Sequence, residues 1–174
     1  MGTPSAVAGD DRSSFLDFYE HALPQVYGYL ATRCGPVAVA EDLTAETFLA
    51  AVDATRRPDP PAITVPWIIG VARHKLVDHW RRQARDERRL RVLADDSPGS
   101  ADPWDARLDA VQVRDILDGL TAPHRAALTL RYLDDLSVPE VAVLLERTVH
   151  ATEALLVRAR TAFRRAYGEE EHDA

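Results

Sequence analysis

A chain of 174 residues holds one ordinary domain or two small helical ones, and its 46% hydrophobic content is enough to fold most of it. Its formal net charge of −7 argues against a protein that coats nucleic acid indiscriminately, while leaving room for a local basic surface. The single cysteine, Cys34, excludes an intramolecular disulfide and a multi-cysteine zinc site, and its small and apolar neighbours suit a buried, inert thiol. No apolar run approaches the roughly 18–20 residues needed to span a bilayer. The opening MGTPSAVAGDDRSS lacks the basic flank and apolar stretch of a signal peptide, so a cytoplasmic protein is expected. Glycine is scarce and strand-like alternation is hard to find, which predicts an all-α chain.

Residues 1–13 are small and polar and read as a disordered N-terminal tail. Phe15, Phe18, Tyr19, Ala22, Val26, Tyr29 and Leu30 then fall at helical intervals, with Ser13 or Ser14 as the cap, Pro24 as a candidate kink and Gly35-Pro36 as the stop. A second helix runs from about Val39 to Thr55 with Leu43, Phe48 and Val52 facing inward. Three prolines make Arg56–Thr64 a loop. From Val65 to Val92 no proline follows Pro66 and no glycine follows Gly70, so one long helix is predicted. Its first half carries an apolar stripe of Ile69, Ala72, Leu76 and Trp80. Its second half is crowded with Arg81, Arg82, Arg85, Arg88 and Arg89. Those arginines form either a solvated face with intrahelical partners, such as Asp78 to Arg82, or a phosphate-binding surface.

Asp95–Asp105 has the composition of a flexible linker, and the domain boundary is placed there. Trp104 within it either starts the next helix or docks on a partner. Four shorter helices follow, at about 105–119, 122–133, 137–145 and 149–167. Leu117, Leu120, Leu128, Leu130 and Leu133 supply much of a small core. Ser137 and Glu140 form a capping box, with Pro139 in the first turn. Thr148 caps a last helix that turns Leu155, Leu156, Ala159 and Phe163 inward and Arg158, Arg160, Arg164 and Arg165 outward. A short capped helix, a tight turn and a longer basic helix make a helix-turn-helix pattern. Residues 169–174 form an acidic tail.

Reactive constellations are missing. The six histidines make no zinc-binding spacing, and no phosphate-cradling glycine loop or nucleophile elbow is present. Glu41, Asp42 and Glu46 cluster, but no opposing His or carboxylate helix completes a metal or acid–base set. Neither a cofactor nor an enzymatic activity is expected, and binding remains.

Ala40–Val52, AEDLTAETFLAAV, resembles the core-polymerase-binding helix of bacterial sigma factors, whose usual form is close to AEDLVQETFLRAW. Pro66–Arg82, PWIIGVARHKLVDHWRR, is similar to the family's promoter −10 helix. LTAPHRAALTLRYLDDLSVPEVAVLL, from Leu120, stands where the −35-binding domain has L-P-x-x-x-R-x-x-x-x-L-R-y followed by s-x-x-E-I-A, and V-R-A-R near the end matches the usual R-A-R. Covering about residues 14–167, the resemblance is to the extracytoplasmic-function (ECF, group 4) sigma factors of the sigma-70 family.

It implies two small helical domains, a region 2 at 14–94 and a helix-turn-helix region 4 at 106–168, joined by the linker at 95–105. It also implies a function: binding core RNA polymerase, recognising the −10 and −35 promoter elements and helping to open the duplex, with an anti-sigma factor as partner. The core-binding residues carried over are Glu41, Asp42, Thr44 and Glu46. The −10 set is Arg56, Arg57, Arg73, His74, Lys75, Asp78, Arg81, Arg82 and Arg85, with the Arg56–Thr64 loop capturing a flipped base. The −35 set is Thr148, His150, Thr152, Glu153 and Arg158. His74 stands where Asn is commoner, Glu146 replaces the usual turn glycine, and Glu153 either accepts from a cytosine amino group or repels phosphate. Trp67 is expected in the core, and Trp80 closes the core or stacks on unpaired bases. A stand-alone helix-turn-helix regulator is the rival reading. The acidic helix beside an arginine helix in the first domain discriminates against it.

Overall fold

The computed structural model describes residues 10–90 and 110–173. Among these residues all regular structure is helical: α1 (Asp10–Ala31), α2 (Val37–Thr55), α3 (Val65–Leu90), α4 (Ala110–Gly119), α5 (Ala122–Leu128), α6 (Val138–Leu144) and α7 (Val149–Asp173). The expected all-α class is what the chain adopts. Two compact units divide within α3, the first ending at Lys75 and the second beginning at Leu76. The expected linker, with Trp104, lies outside the described residues.

In the first unit, Ala22, Val26 and Leu30 recur every four residues on α1 and are fully buried. Facing them, α2 buries Ala40, Leu43, Thr44, Thr47, Phe48, Ala51 and Ala54, a helical stripe. Tyr19 meets Phe48 edge-on at 4.7 Å. The two threonines in the stripe return their hydroxyls to carbonyls one turn back, Thr44 to Ala40 at 2.7 Å and Thr47 to Leu43 at 2.6 Å. Neither therefore leaves a polar group unpaired. Gly35, at φ 75, turns the chain out of α1, and Pro36 occupies the N-cap of α2. Cys34 is buried, as its neighbours indicated. Thr64 opens α3 by accepting from the Trp67 N–H at 3.3 Å. The buried line on α3 is Ile68, Ala72, Leu76 and Trp80, so the stripe begins one residue before the expected Ile69, which is half-buried.

In the second unit, Ile116, Leu117, Leu120, Leu128, Ala159 and Phe163 form one core cluster, and Ala127, Leu155 and Leu156 form another. Arg125 is buried because it seals the junction of α4 and α5. Its guanidinium donates to the carbonyls of Leu117 at 2.9 Å, Asp118 at 2.9 Å and Leu120 at 3.2 Å. A π-helical turn, Thr129–Leu133, continues α5. It accounts for one correction: Leu130 is buried, but Leu133, expected in the core, is exposed. The wider turn rotates Leu133 off the inner face. Two boundaries also move. α1 begins at Asp10, inside the expected tail, and α7 continues to Asp173, through the acidic residues expected to be a tail.

Candidate functional site

On α2, Glu41 and Asp42 are exposed while Leu43 beside them is buried. Glu46, one turn on, is partly exposed and pairs with Lys75 of α3 at 3.4 Å. Thr44 was expected on the same outward face, but the inward stripe claims it. An apolar groove of about 790 Å³ lies alongside, lined by Phe15, Tyr19, Leu23, Phe48 and Leu49, with Glu41 at its edge. Leu49 is 65% exposed there. Carboxylates bordering an apolar groove can dock a partner helix that carries both basic and apolar groups.

The Arg56–Thr64 loop holds Arg56, Arg57, Pro58, Asp59 and Pro60 outward, and Arg56 sits 3.6 Å from Asp53. On α3, His74 and Asp78 are exposed and Arg73 is half-buried. Arg82 and Arg85 face solvent along the basic half. Arg81 behaves differently. It bridges Asp78 at 3.1 Å and Glu146 at 3.1 Å, and it donates to the Leu144 carbonyl, all within the second unit. The long-range pair to Glu146 spans 65 positions and had no signal in local spacing.

α6, a turn and α7 build the helix-turn-helix. Ser137 heads α6 with the capping box read from sequence, its N–H donating to the Glu140 carboxylate at 2.7 Å. The turn closes with two backbone bonds, Glu146 N–H to Val143 at 3.2 Å and Arg147 N–H to Ala142 at 2.9 Å. That is a Schellman closure, and it requires a left-handed residue at Glu146, whose φ is 53. Thr148 caps α7 by accepting from the Ala151 N–H at 3.1 Å. At the start of α7, His150 is 96% exposed and lies 4.0 Å from Glu153. Glu153 and Arg158 are also exposed. Thr152, expected to face bases, is fully buried and donates to the Thr148 carbonyl at 3.0 Å. It shares the inner line with Leu155, Leu156, Ala159 and Phe163, and a side chain on that line cannot reach a groove.

Trp80, left open between core and stacking platform, is 1% exposed and belongs to the interior. Trp67 is half-buried. Among the described residues no group of His, Cys, Asp and Glu is placed to hold a metal ion, and no helix is long and apolar enough to cross a membrane.

Residues 18–86 match sigma-70 region 2, and residues 110–163 match sigma-70 region 4. The chain is 30% identical over 159 residues to the ECF RNA polymerase sigma factor SigC of Mycobacterium tuberculosis, across 91% of this chain and 85% of that protein. It is 31% identical over 162 residues to the ECF RNA polymerase sigma factor BldN of Streptomyces coelicolor, across 88% of this chain but only 60% of BldN. A fold likeness extends to the sigma factor RpoE of Bartonella quintana, crystallised with the anti-sigma factor NepR. There the TM-score is 0.54 at 17% identity, covering 89% of this chain and 97% of that one.

Proposed function

Because the chain belongs to the ECF RNA polymerase sigma factors of the sigma-70 family, we propose that it binds core polymerase through α2, recognises −10 and −35 promoter elements, and promotes transcription initiation. The observation that carries this reading is the outward carboxylate pair Glu41 and Asp42 beside an apolar groove, on the helix that resembles the family's core-binding segment. A regulator acting alone on duplex DNA has no use for that surface. The domains are proposed as region 2 over 14–94, a linker over 95–105 and region 4 over 106–168.

Within region 2, Glu46 is held by Lys75, so Glu41 and Asp42 make the main ionic contact with polymerase, and Leu49 supplies apolar contact. The Arg56–Thr64 loop holds a base extruded from the −10 element, a step that costs a few kcal/mol and needs a shaped recipient. Arg73, His74 and Asp78 lie toward −10 bases and backbone, and Arg82 and Arg85 take phosphates. In region 4, the exposed start of α7 presents His150 and Glu153 to base edges, with Thr148 and Arg158 toward the backbone. The chain itself makes and breaks no bonds; the polymerase does the chemistry, in the cytoplasm. An anti-sigma factor is proposed as its regulator, by analogy with the relative crystallised with one.

The test is co-elution of the purified chain with core polymerase, followed by promoter-specific transcription. Glu41→Arg with Asp42→Arg should abolish co-elution with unchanged helix content, because both side chains are exposed. Wild-type affinity in the folded double variant overturns the α2 assignment.

A further inference from the structure

Within the second unit, a concave site of about 460 Å³ is bounded by the basic half of α3, the start of α5 and the turn into α7. Its lining carries four guanidiniums, from Arg81, Arg85, Arg88 and Arg147, and one carboxylate, Glu146. That carboxylate is already committed to Arg81. Glu87, the nearby acid of α3, directs both oxygens to the Ala122 N–H, at 3.1 and 3.3 Å. Among the described residues, Arg85, Arg88 and Arg147 are thus left lining one concavity without an opposing charge, in a protein whose net charge is −7.

The surroundings amplify that imbalance. Burial, then Arg88 and Arg158, push the Arg147 guanidinium below its ordinary range. Trp80, Ala126 and Leu155 contribute apolar lining beside these charges, with Arg85 and Arg88 exposed and Arg147 half-buried. Two donors in the lining residues, Trp80 Nε1 and Arg81 Nε, are buried without a hydrogen-bond partner, and Trp80 itself is 1% exposed. Gathered like charges and orphaned buried donors both oppose folding unless something with several acceptor oxygens meets them.

We propose that this concavity is a binding site for a phosphate-bearing ligand of multiple negative charge, gripped by Arg85, Arg88 and Arg147. Guanidinium forks match phosphate oxygens two at a time, and three of them balance about three negative charges. Arg85 is shared with the proposed −10 surface, but Arg88 and Arg147 belong to neither promoter surface, so the inference goes beyond the transcription role above. The ligand is a small oligophosphate, distinct from the promoter backbone already proposed as a partner.

The test is calorimetric titration of the full chain at constant ionic strength with sodium tripolyphosphate and, separately, with a promoter-free DNA duplex. Arg88→Ala and Arg147→Ala are compared with Arg165→Ala, an exposed arginine of α7 outside the site. Expected is one tripolyphosphate per chain, bound about tenfold more weakly by each site variant and unchanged in the control. Loss confined to the duplex arm overturns the oligophosphate assignment and places these arginines on the promoter-binding surface instead. If neither titration distinguishes the site variants from Arg165→Ala, the proposal is overturned. Core-dependent transcription by the wild-type chain, scored independently, leaves the sigma-factor reading standing or falling on its own.

Discussion

Glu146 shows how much one side chain can be asked to do. Its backbone sits in the left-handed region at φ 53, where an L-residue other than glycine is strained by about 1–2 kcal/mol. In return its carboxylate pairs with Arg81 at 3.1 Å, but the Glu146 side chain is 76% exposed, and exposed pairs contribute only about 0–1 kcal/mol. Strain and ion pair can be separated by comparing Glu146→Gly with Glu146→Ala, since both lose the carboxylate and only one keeps the strain. Offsetting the extra unfolded-state freedom of glycine, the Gly variant should be the more stable by roughly 0.5–1 kcal/mol in chemical denaturation. Equal stabilities would show that the left-handed penalty is no larger than the freedom glycine regains in the unfolded chain, and an Ala variant more stable than Gly would show that the turn carries no such penalty.

At the scale of elements, junctions matter more than helix interiors. The end of α4 and the start of α5 are held by Arg125, whose three carbonyl acceptors satisfy backbone groups that a helix end leaves open. Asp118 stands 3.8 Å from the same guanidinium. Burial nevertheless raises its pKa above the ordinary 3.8; Arg125 and Arg114 pull it back only in part, and Asp115 raises it further. The folded state therefore holds the Asp118 proton more tightly than the unfolded chain does. Its contribution favours folding below the ordinary pKa and is lost as pH rises through the raised folded value. Asp118→Asn should accordingly be at least as stable as wild type at neutral pH, with any advantage shrinking as pH falls through the acid range. Thermal melts across that range check it, and a neutral-pH loss in the variant would mean that the pair with Arg125 outweighs burial.

For the whole molecule, the net charge of −7 coexists with an arginine-rich half of α3, so any attraction to DNA is local and strongly dependent on salt. Arg82 is exposed on that half, and as a phosphate contact it should affect all promoter sequences alike. Arg82→Ala is expected to weaken promoter binding by the polymerase complex uniformly and to lower the salt slope by about one unit. Substitution of Glu153, at the exposed start of α7, should instead change the preferred −35 sequence in selection from a randomised library. A uniform loss from Glu153 and a changed preference from Arg82 would reverse the roles proposed for the two helices.

Local pattern was sufficient for the helical class, the burial of Leu43 and Phe48 on α2, the capping box of Ser137 and Glu140, and the Thr148 cap, because each depends on residues within one or two turns of one another; Val52, also expected inward, is only half-buried. The same locality made the acidic edge of α2 and the basic half of α3 legible as candidate surfaces. Where neighbouring positions compete for one inward face, pattern was ambiguous: Thr44 and Thr152 have polar side chains, yet packing turns both inward and backbone carbonyls satisfy their hydroxyls. Leu133 went the other way because a π-helical turn shifted its phase, and nothing in its own hydrophobicity encodes that shift. The partners of Arg81 and the convergence of Arg85, Arg88 and Arg147 on one concavity were decided only by tertiary structure. Charge in a sequence sets how many guanidiniums must be accommodated; which carboxylates reach them, and which are left facing an open site, depends on segments brought together from more than 50 positions apart, as Arg88 and Arg147 are.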